Sequence, residues 1–375
     1  MGTIKQNLAN NIETLGKFDA TDLTGTIPAA NITNSSLSDI TTVPPSASGG
    51  DLIQTVASDP PAPDFGDIWY NSTEQKIKLK GLSVPGGSWA SGGNLNTARS
   101  SLAGATSSPQ SASLAFAGYN GSVLGNTETY DGTSWTEVAD FNTARYVLAG
   151  AGATNTAAIG FGGIQPGGTG ATESWNGSAW TEVNDLNTTR WNLAGFGTST
   201  AAYAVSGTTP SITTATESWD GTSWTETTEL NSARYGSSGA GTSTSGIIWA
   251  GEKSLGAPDI TGDTETWNGS AWTEVANLNQ PRYDGQHSGG GSITSALGFG
   301  GYTRSPSPAV LTNTEVFDGT SWSELNNLNV ARFATTGAGS ASAGLAIGGF
   351  APGGPHTSAT EEWNAASPIQ SIQGS

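Results

Sequence analysis

Three side chains able to grip a ligand together, a carboxylate, an indole and a guanidinium, recur along this chain at fixed spacing. Glu128, Glu173, Glu217, Glu265 and Glu315 each precede a Trp by seven residues (Trp135, Trp180, Trp224, Trp272, Trp322), and each Trp precedes an Arg by ten (Arg145, Arg190, Arg234, Arg282, Arg332). Partial copies stand at the ends: Trp89 and Arg99 lack the Glu, and Glu361 with Trp363 lacks the second Trp and the Arg. The residue after each Arg is Ser100, Tyr146, Trp191, Tyr235, Tyr283 or Phe333. Five aromatics at one repeat position form a platform on which a sugar ring or an aromatic group stacks. Arg304 is the one Arg outside the repeat position. Tyr146, Trp191, Tyr235, Tyr283, Phe333 and Arg304 are therefore the candidate ligand-binding residues. The competing expectation is structural: the aromatics pack between units, and each Arg bonds carboxylates or strand-end carbonyls because the geometry repeats.

Other chemistries find little to work with. The chain has no Cys, and its only His are His287 and His356, so no metal site and no cofactor is expected. Carboxylates are plentiful, but nothing in their spacing singles out a glycosidase pair. Residues 174–180, Ser-Trp-Asn-Gly-Ser-Ala-Trp, look like the Asp-box hairpin of sialidases but lack one residue between Asn and Gly. No catalytic residue is assigned, and a non-enzymatic protein is expected. A formal charge of −18 argues against nucleic acid or an anionic membrane surface as partner. Residues 1–16 lack the apolar run of a signal peptide, and no stretch approaches the roughly 20 apolar residues of a membrane-spanning helix.

The elements that must position these residues are strands. Only 12% of the 375 residues are charged and 53 are Gly, while short Ser, Thr and aromatic runs alternate between tight turns. Each unit reads as four strands. A small-residue strand such as 147–153 follows the Arg; a second ends in Ile159, Phe161, Gly162, Gly163; a third carries Thr-Glu-x-aromatic. An Asp-Gly or Asn-Gly turn, whose residues tolerate positive φ, then leads to a fourth around the Trp. Four strands in about 44 to 50 residues is the period of a propeller blade.

The repeat resembles the kelch family of β-propellers in its Gly pair (Gly162 and Gly163, Gly300 and Gly301, Gly348 and Gly349), its third-strand aromatic (Tyr130, Trp175, Trp219, Trp267, Phe317, Trp363) and the Trp that follows. The pair departs to Ala117-Gly118, Ser206-Gly207 and Ala250-Gly251, and the turn before the Trp is shorter than in typical kelch repeats. The resemblance implies an all-β propeller over residues 84–366, and Arg99, Arg145, Arg190, Arg234, Arg282 and Arg332, each opening a unit, give it six blades. Its sixth blade lacks a fourth strand, which residues 84–92 supply, so the ring is closed by an N-terminal strand. A copper oxidase on this scaffold needs Cys, Tyr and paired His, which are absent. Some six-bladed lectins hold sugar between blades with Arg, Glu and Trp, but Glu and Trp are expected here on third and fourth strands, away from the Arg end. From the second Gly of the pair to the Glu is ten residues in three blades, then fourteen, fourteen and twelve, so the loops on the Arg face vary, as a binding face does.

The first 83 residues are of another kind. Ile4, Leu8, Ile12 and Leu15 fall on one face of a short helix stopped at Gly16, too short to be stable alone. Residues 18–32, containing Leu-Thr-Gly-Thr-Ile-Pro-Ala-Ala-Asn-Ile, resemble the shafts and attachment regions of bacteriophage tail fibres. A Pro-rich linker follows, and residues 64–80 look like a hairpin found in phage virion proteins, with Ile68 and Tyr70 sharing a face with Ile77 and Leu79. The expected organisation is an anchor and stalk at 1–50, a linker and hairpin at 51–83, the propeller at 84–366 and a tail at 367–375. The resemblance implies a virion protein, assembled in the host cytoplasm and exposed on the particle. Residues 1–50 would join other virion proteins, as a homotrimer, and the head would meet a host-surface glycan or receptor. A structural decoration protein of capsid or tail is the alternative; a polysaccharide-degrading enzyme is the second.

Overall fold

The computed structural model describes residues 54–58, 68–73, 76–80, 86–255, 259–283, 289–304, 307–354, 356–365 and 369–372. The expected N-terminal helix, the fibre-like run and His287 lie outside them. The chain divides into two units, Met1–Val84 together with Ser367–Ser375, and Pro85–Ala366.

The second unit is a six-bladed β-propeller, and no helix occurs among its described residues. Each blade is a four-stranded antiparallel meander. The second, for example, orders Ala149–Thr154, Ala157–Phe161, Thr172–Trp175 and Trp180–Val183 from the axis outward. The sixth blade takes Thr336–Gly339, Ala343–Ile347 and Thr360–Ala365 from the end of the domain and Gly87–Ser91 from its beginning. Trp89 stands opposite Trp363 in that last pairing, which closes the ring as the repeat spacing predicts.

Small residues build the centre because the first strands crowd one another. A Cβ on Gly150 would lie 2.5 Å from the carbonyl oxygen of Gly104, and one on Gly195 2.9 Å from that of Gly150. Larger residues fill the spaces between blades. Fourth-strand Trp side chains are buried, and five of the six donate from Nε1 to a third-strand Thr of the preceding blade: Trp135 to Thr360, Trp180 to Thr127, Trp224 to Thr172, Trp322 to Thr264 and Trp89 to Thr314, at 2.9 to 3.2 Å. Trp135 and Trp89 each join a segment from the start of the domain to one near its end, so closure uses the same bond as the junctions of the first blade with the second, the second with the third and the fourth with the fifth. Trp272 Nε1, at the junction of the third with the fourth, makes no such bond.

The Asp-Gly and Asn-Gly turns show why the two residues interchange. Asp131 Oδ1 accepts the backbone N–H of Thr133 and Ser134 at 2.8 Å, and Asn176 Oδ1 accepts those of Ser178 and Ala179 at 3.0 Å. Only an acceptor is required there, and the following Gly supplies the positive φ, 92° at Gly132 and 94° at Gly177.

The Gly pair has a different role, one that joins blades. Its second member donates its N–H to the carbonyl of the next blade's Arg in all six units: Gly118 to Arg145, Gly163 to Arg190, Gly207 to Arg234, Gly251 to Arg282, Gly301 to Arg332 and Gly349 to Arg99, at 2.8 to 3.0 Å. Positive φ at both members aims that N–H sideways. Where the sequence departs to Ala117, Ser206 and Ala250, the backbone remains left-handed at φ 60° to 64°, so the departures alter the residue without altering the shape.

At the opposite end, where first and second strands join, the first blade carries a longer connection than its neighbours. Residues 105–112 lie on the Asp-Gly side, with Ser111 beside Gly132. Ser107 N donates to Gly152 O at 3.0 Å, Ser108 O accepts from Gly339 N at 2.9 Å, and Ser107 Oγ reaches Gly241 O at 3.3 Å. Those partners belong to the second, sixth and fourth blades, and the fourth is diametrically opposite the first. The loop therefore crosses the axis and closes that end.

In the first unit, Gln54–Val56, Ile68–Asn71, Lys76–Lys80 and Ile369–Ile372 form one four-stranded sheet. Ile68 stands opposite Leu79 and Tyr70 opposite Ile77, the register expected of the hairpin. Residues 369–372, expected to be tail, are its edge strand and pair with Lys76–Lys80.

Candidate functional site

Every repeated Arg is buried and paired with the Glu of its own unit. Arg99 meets Glu128 at 2.5 Å, Arg145 Glu173 at 3.2 Å, Arg190 Glu217 at 2.8 Å, Arg234 Glu265 at 3.0 Å, Arg282 Glu315 at 2.5 Å and Arg332 Glu361 at 2.5 Å. This corrects the expectation that Glu lies away from the Arg end: third strands start on the Arg face, and in five blades the Glu is their second residue. The repeated Trp does stand at the other end, beside the Asp-Gly turn. Arg, Glu and Trp thus form no common pocket, and the lectin-like triad is not assembled.

A further partner completes the network, and the sequence reading missed it. Three residues before each Arg stands an Asn, preceded by Leu or Phe: Asn96, Asn142, Asn187, Asn231, Asn279 and Asn329. In the third blade, Asn187 donates its backbone N–H and its Nδ2 to Glu217 Oε2 at 2.7 and 2.9 Å, and Nδ2 also reaches Trp224 O at 2.9 Å. The segment leaving one blade's outer strand is thereby fastened to the next blade's third and fourth strands. The recurring Leu-Asn-x-x-Arg was the available signal. Burial alone lowers the Arg190 guanidinium's pKa, while Glu217 opposes that shift. These charges are spent on the frame.

The frame delivers a collar on the Arg face. The residue after each Arg pairs with the residue after the Gly pair of its own blade: Ser100 with Tyr119, Tyr146 with Ile164, Trp191 with Thr208, Tyr235 with Glu252, Tyr283 with Tyr302 and Phe333 with Phe350. The second member of each couple was also missed, although its position directly behind the Gly pair repeats. All five predicted aromatics are half-buried. Ring contacts run from Tyr235 through Tyr283, Tyr302, Phe333, Phe350, His356 and Tyr119 to Tyr146, with centroids 5.3 to 6.1 Å apart. Trp191 stands apart from that chain: its bridge partner is Thr208, and a Cβ on Gly168 would lie 2.4 Å from its ring. The structure thus brings Tyr146, Tyr235, Tyr283 and Phe333 into one collar and seats Trp191 under the second blade's loop.

One sector of the collar is polar. Glu252, fully buried, accepts the Tyr235 hydroxyl on Oε2 at 2.6 Å and Arg304 Nη1 on Oε1 at 2.6 Å. Arg304 Nη2 donates to Tyr283 Oη at 2.8 Å, and the guanidinium lies over the Tyr283 ring, 5.0 Å from its centroid. Arg304 remains 36% exposed. Burial, then the bond to Glu252, pushes the Tyr235 phenol up, and burial also raises Tyr283. Burial would lower Arg304, but Tyr283 and Glu252 outweigh it and hold the guanidinium charged. Both phenols keep their protons. Across the collar, Ser100 Oγ lies 2.9 Å from His356 Nδ1, and burial lowers the imidazole's pKa. Among the described residues no group of three or more His, Asp or Glu is arranged to hold a metal ion.

No protein-family model and no curated protein matches this chain. Among solved structures it is similar to YjhT, with a TM-score of 0.61 and 14% identity over 75% of this chain and 99% of that one. At that identity the likeness shows the propeller fold alone.

Proposed function

We propose that this chain is a bacteriophage virion fibre or appendage protein whose kelch-type head attaches to host-surface polysaccharide. In this reading residues 1–50 anchor it, as a homotrimer, to other virion proteins. The observation that carries the reading is the collar: a nearly continuous run of half-buried aromatic rings on one face, with a protonated Tyr pair and a half-exposed Arg set into it. Rings present flat apolar faces to the C–H surfaces of sugars, and phenol and guanidinium donors meet hydroxyls. The axis is crossed at the other end by residues 105–112, which leaves the collar as the approach to the centre.

The test is binding of the full-length protein to intact candidate host cells and to their extracted surface polysaccharide. Saturable binding that is lost when the 252–263 and 302–313 loops are shortened is the expected result. Absence of binding to the cells of every host the particle infects would overturn attachment and leave a structural role on the particle. Release of reducing sugar from a bound polymer would overturn the non-enzymatic reading.

A further inference from the structure

Resting on the attachment reading, a second property of the head narrows its ligand. Beyond residue 84 the chain has the six repeated Arg, Arg304 and Lys253 as its only Lys or Arg. Each of them is ion-paired. The six repeated Arg are buried against Glu, Arg304 is held by Glu252, and Lys253 by Asp263. Meanwhile the exposed edges carry unmatched carboxylates. Fourth strands present Glu137, Glu182, Glu226, Glu274 and Glu324 to solvent, one in each of five blades. A polyanion approaching this head meets repulsion from the perimeter and finds no unpaired cation at the collar.

We infer that the collar takes a neutral polysaccharide, with a neutral pyranose seated at the Tyr283–Arg304 sector. Arg304 contributes direction and not net charge there. Two of its five N–H groups are engaged by Glu252 and Tyr283, and the remaining donors belong to a side chain more than a third exposed. Its charge is already matched by a carboxylate with no exposed surface, so what it offers a ligand is a fixed fork of hydroxyl-binding donors beside aromatic rings. Glu252 is then a positioning residue. It orients Arg304 and Tyr235 and, by neutralising the guanidinium, excludes acidic sugars.

The experiment is affinity electrophoresis of the full-length protein in gels containing neutral polymers (dextran, mannan, galactan) or acidic ones (alginate, hyaluronan, dextran sulfate), alongside polysaccharide extracted from a susceptible host. The expected result is retardation by a neutral polymer that persists between about 0.01 M and about 1 M salt, over which the screening length falls from about 30 Å to about 3 Å. Arg304→Ala and Tyr283→Ala should each weaken it by about tenfold or more. Glu252→Gln supplies the sharper arm: freeing the Arg304 charge should create a salt-sensitive affinity for acidic polymers that the parent lacks, a gain that misfolding cannot imitate. Retardation only by acidic polymers, fading as salt rises, would overturn neutral specificity and leave polysaccharide attachment standing. Neutral binding unmoved by both Ala variants would overturn the placement. Binding to host cells stripped of polysaccharide, with no polymer retarding the protein, would overturn attachment through polysaccharide itself.

Discussion

Replacing Glu217 by Ala tests whether the Arg–Glu–Asn network holds the blades. Glu217 accepts four hydrogen bonds: from Arg190 Nη2 at 2.8 Å, Thr188 N at 3.2 Å, Asn187 N at 2.7 Å and Asn187 Nδ2 at 2.9 Å. The Asn and Thr lie near the surface, where water replaces the lost acceptor. Arg190 does not, since its side chain is fully buried. Stranding a buried charge costs about 3 to 5 kcal/mol, against a typical domain stability of about 5 to 15 kcal/mol. At about 2 °C per kcal/mol for a large domain, melting should fall by about 6 to 10 °C. The assay is thermal unfolding followed by Trp emission, with the exposed Glu229→Ala as control, expected within about 0.5 kcal/mol of the parent. Glu217→Leu combined with Arg190→Met should recover much of the loss, because removing both charges leaves none stranded. If Glu217→Ala melts with the control, or the double variant loses the sum of the singles, the network does not hold the frame.

Trp89→Ala should destabilise the head by about 3 to 5 kcal/mol, as Trp135→Ala does, although it is the only fourth-strand Trp supplied from before the ring; a much smaller loss by denaturant titration would mean that the closing strand is dispensable. Backbone N–H bonds hold the carboxyls of Asp131, Asp220 and Asp318 below the ordinary Asp value of 3.8. Their folded pKa is depressed, so their contribution is complete above the unfolded pKa and disappears as pH falls through the folded one. Carboxyl NMR titration should place all three low, and changing them to Asn should remove that acid sensitivity while keeping the turns. Burial and the bond to Glu362 push Tyr130 up to about 12. A raised folded pKa means that its contribution is present below pH 10 and is lost as pH rises through about 12, so ultraviolet titration should show Tyr130 ionising late. Because Tyr203, Tyr235 and Tyr283 are raised as well, Tyr130→Phe should shrink the late step by one phenol and leave the rest; an unchanged late amplitude would refute the assignment.

The frame was legible because a propeller repeats in sequence what it repeats in space. Six Arg gave six blades, and Trp89 at its usual distance before Arg99 gave the closing strand. Spacing along the chain says less about which groups touch. Glu217 and Arg190 are 27 residues apart and form a buried pair, a contact set by the strand starting on the Arg face and invisible in the interval itself. Asn187 makes one bond through its backbone N–H and two through its side chain, all to the third and fourth strands of the next blade, partners that a short polar residue in a connecting segment does not announce. Glu252 occupies a position that is aromatic in three blades and Ile or Thr in two, and its role depends on Arg304, reached 52 residues later across a blade junction. The loop at 105–112 reads as ordinary Ser-rich connection, because nothing local reports that its partner lies across the axis.

That division of labour bears on why the collar, and no other surface, is the candidate site. Positions that hold the ring together carry nearly the same residue in every unit: Arg, Glu and Asn throughout, and Gly at the second place of the pair. The two positions directly behind them, after the Arg and after the Gly pair, share backbone geometry fixed by those same residues, yet hold Ser, Tyr, Trp, Phe, Ile, Thr and Glu between them. Packing alone would favour one solution repeated six times, as it does for the fourth-strand Trp. Six different couples on one rigid rim are what a surface needs to meet an asymmetric partner. The polar sector at Glu252 and Arg304 lies between the fourth and fifth blades, whose loops from the Gly pair to the Glu are the longest of the six. Variation in residue type, variation in loop length and the exposed Arg304 all fall in one sector, so Tyr283→Phe, which removes one hydroxyl there and strands no charge, should change binding without changing the melting of the ring.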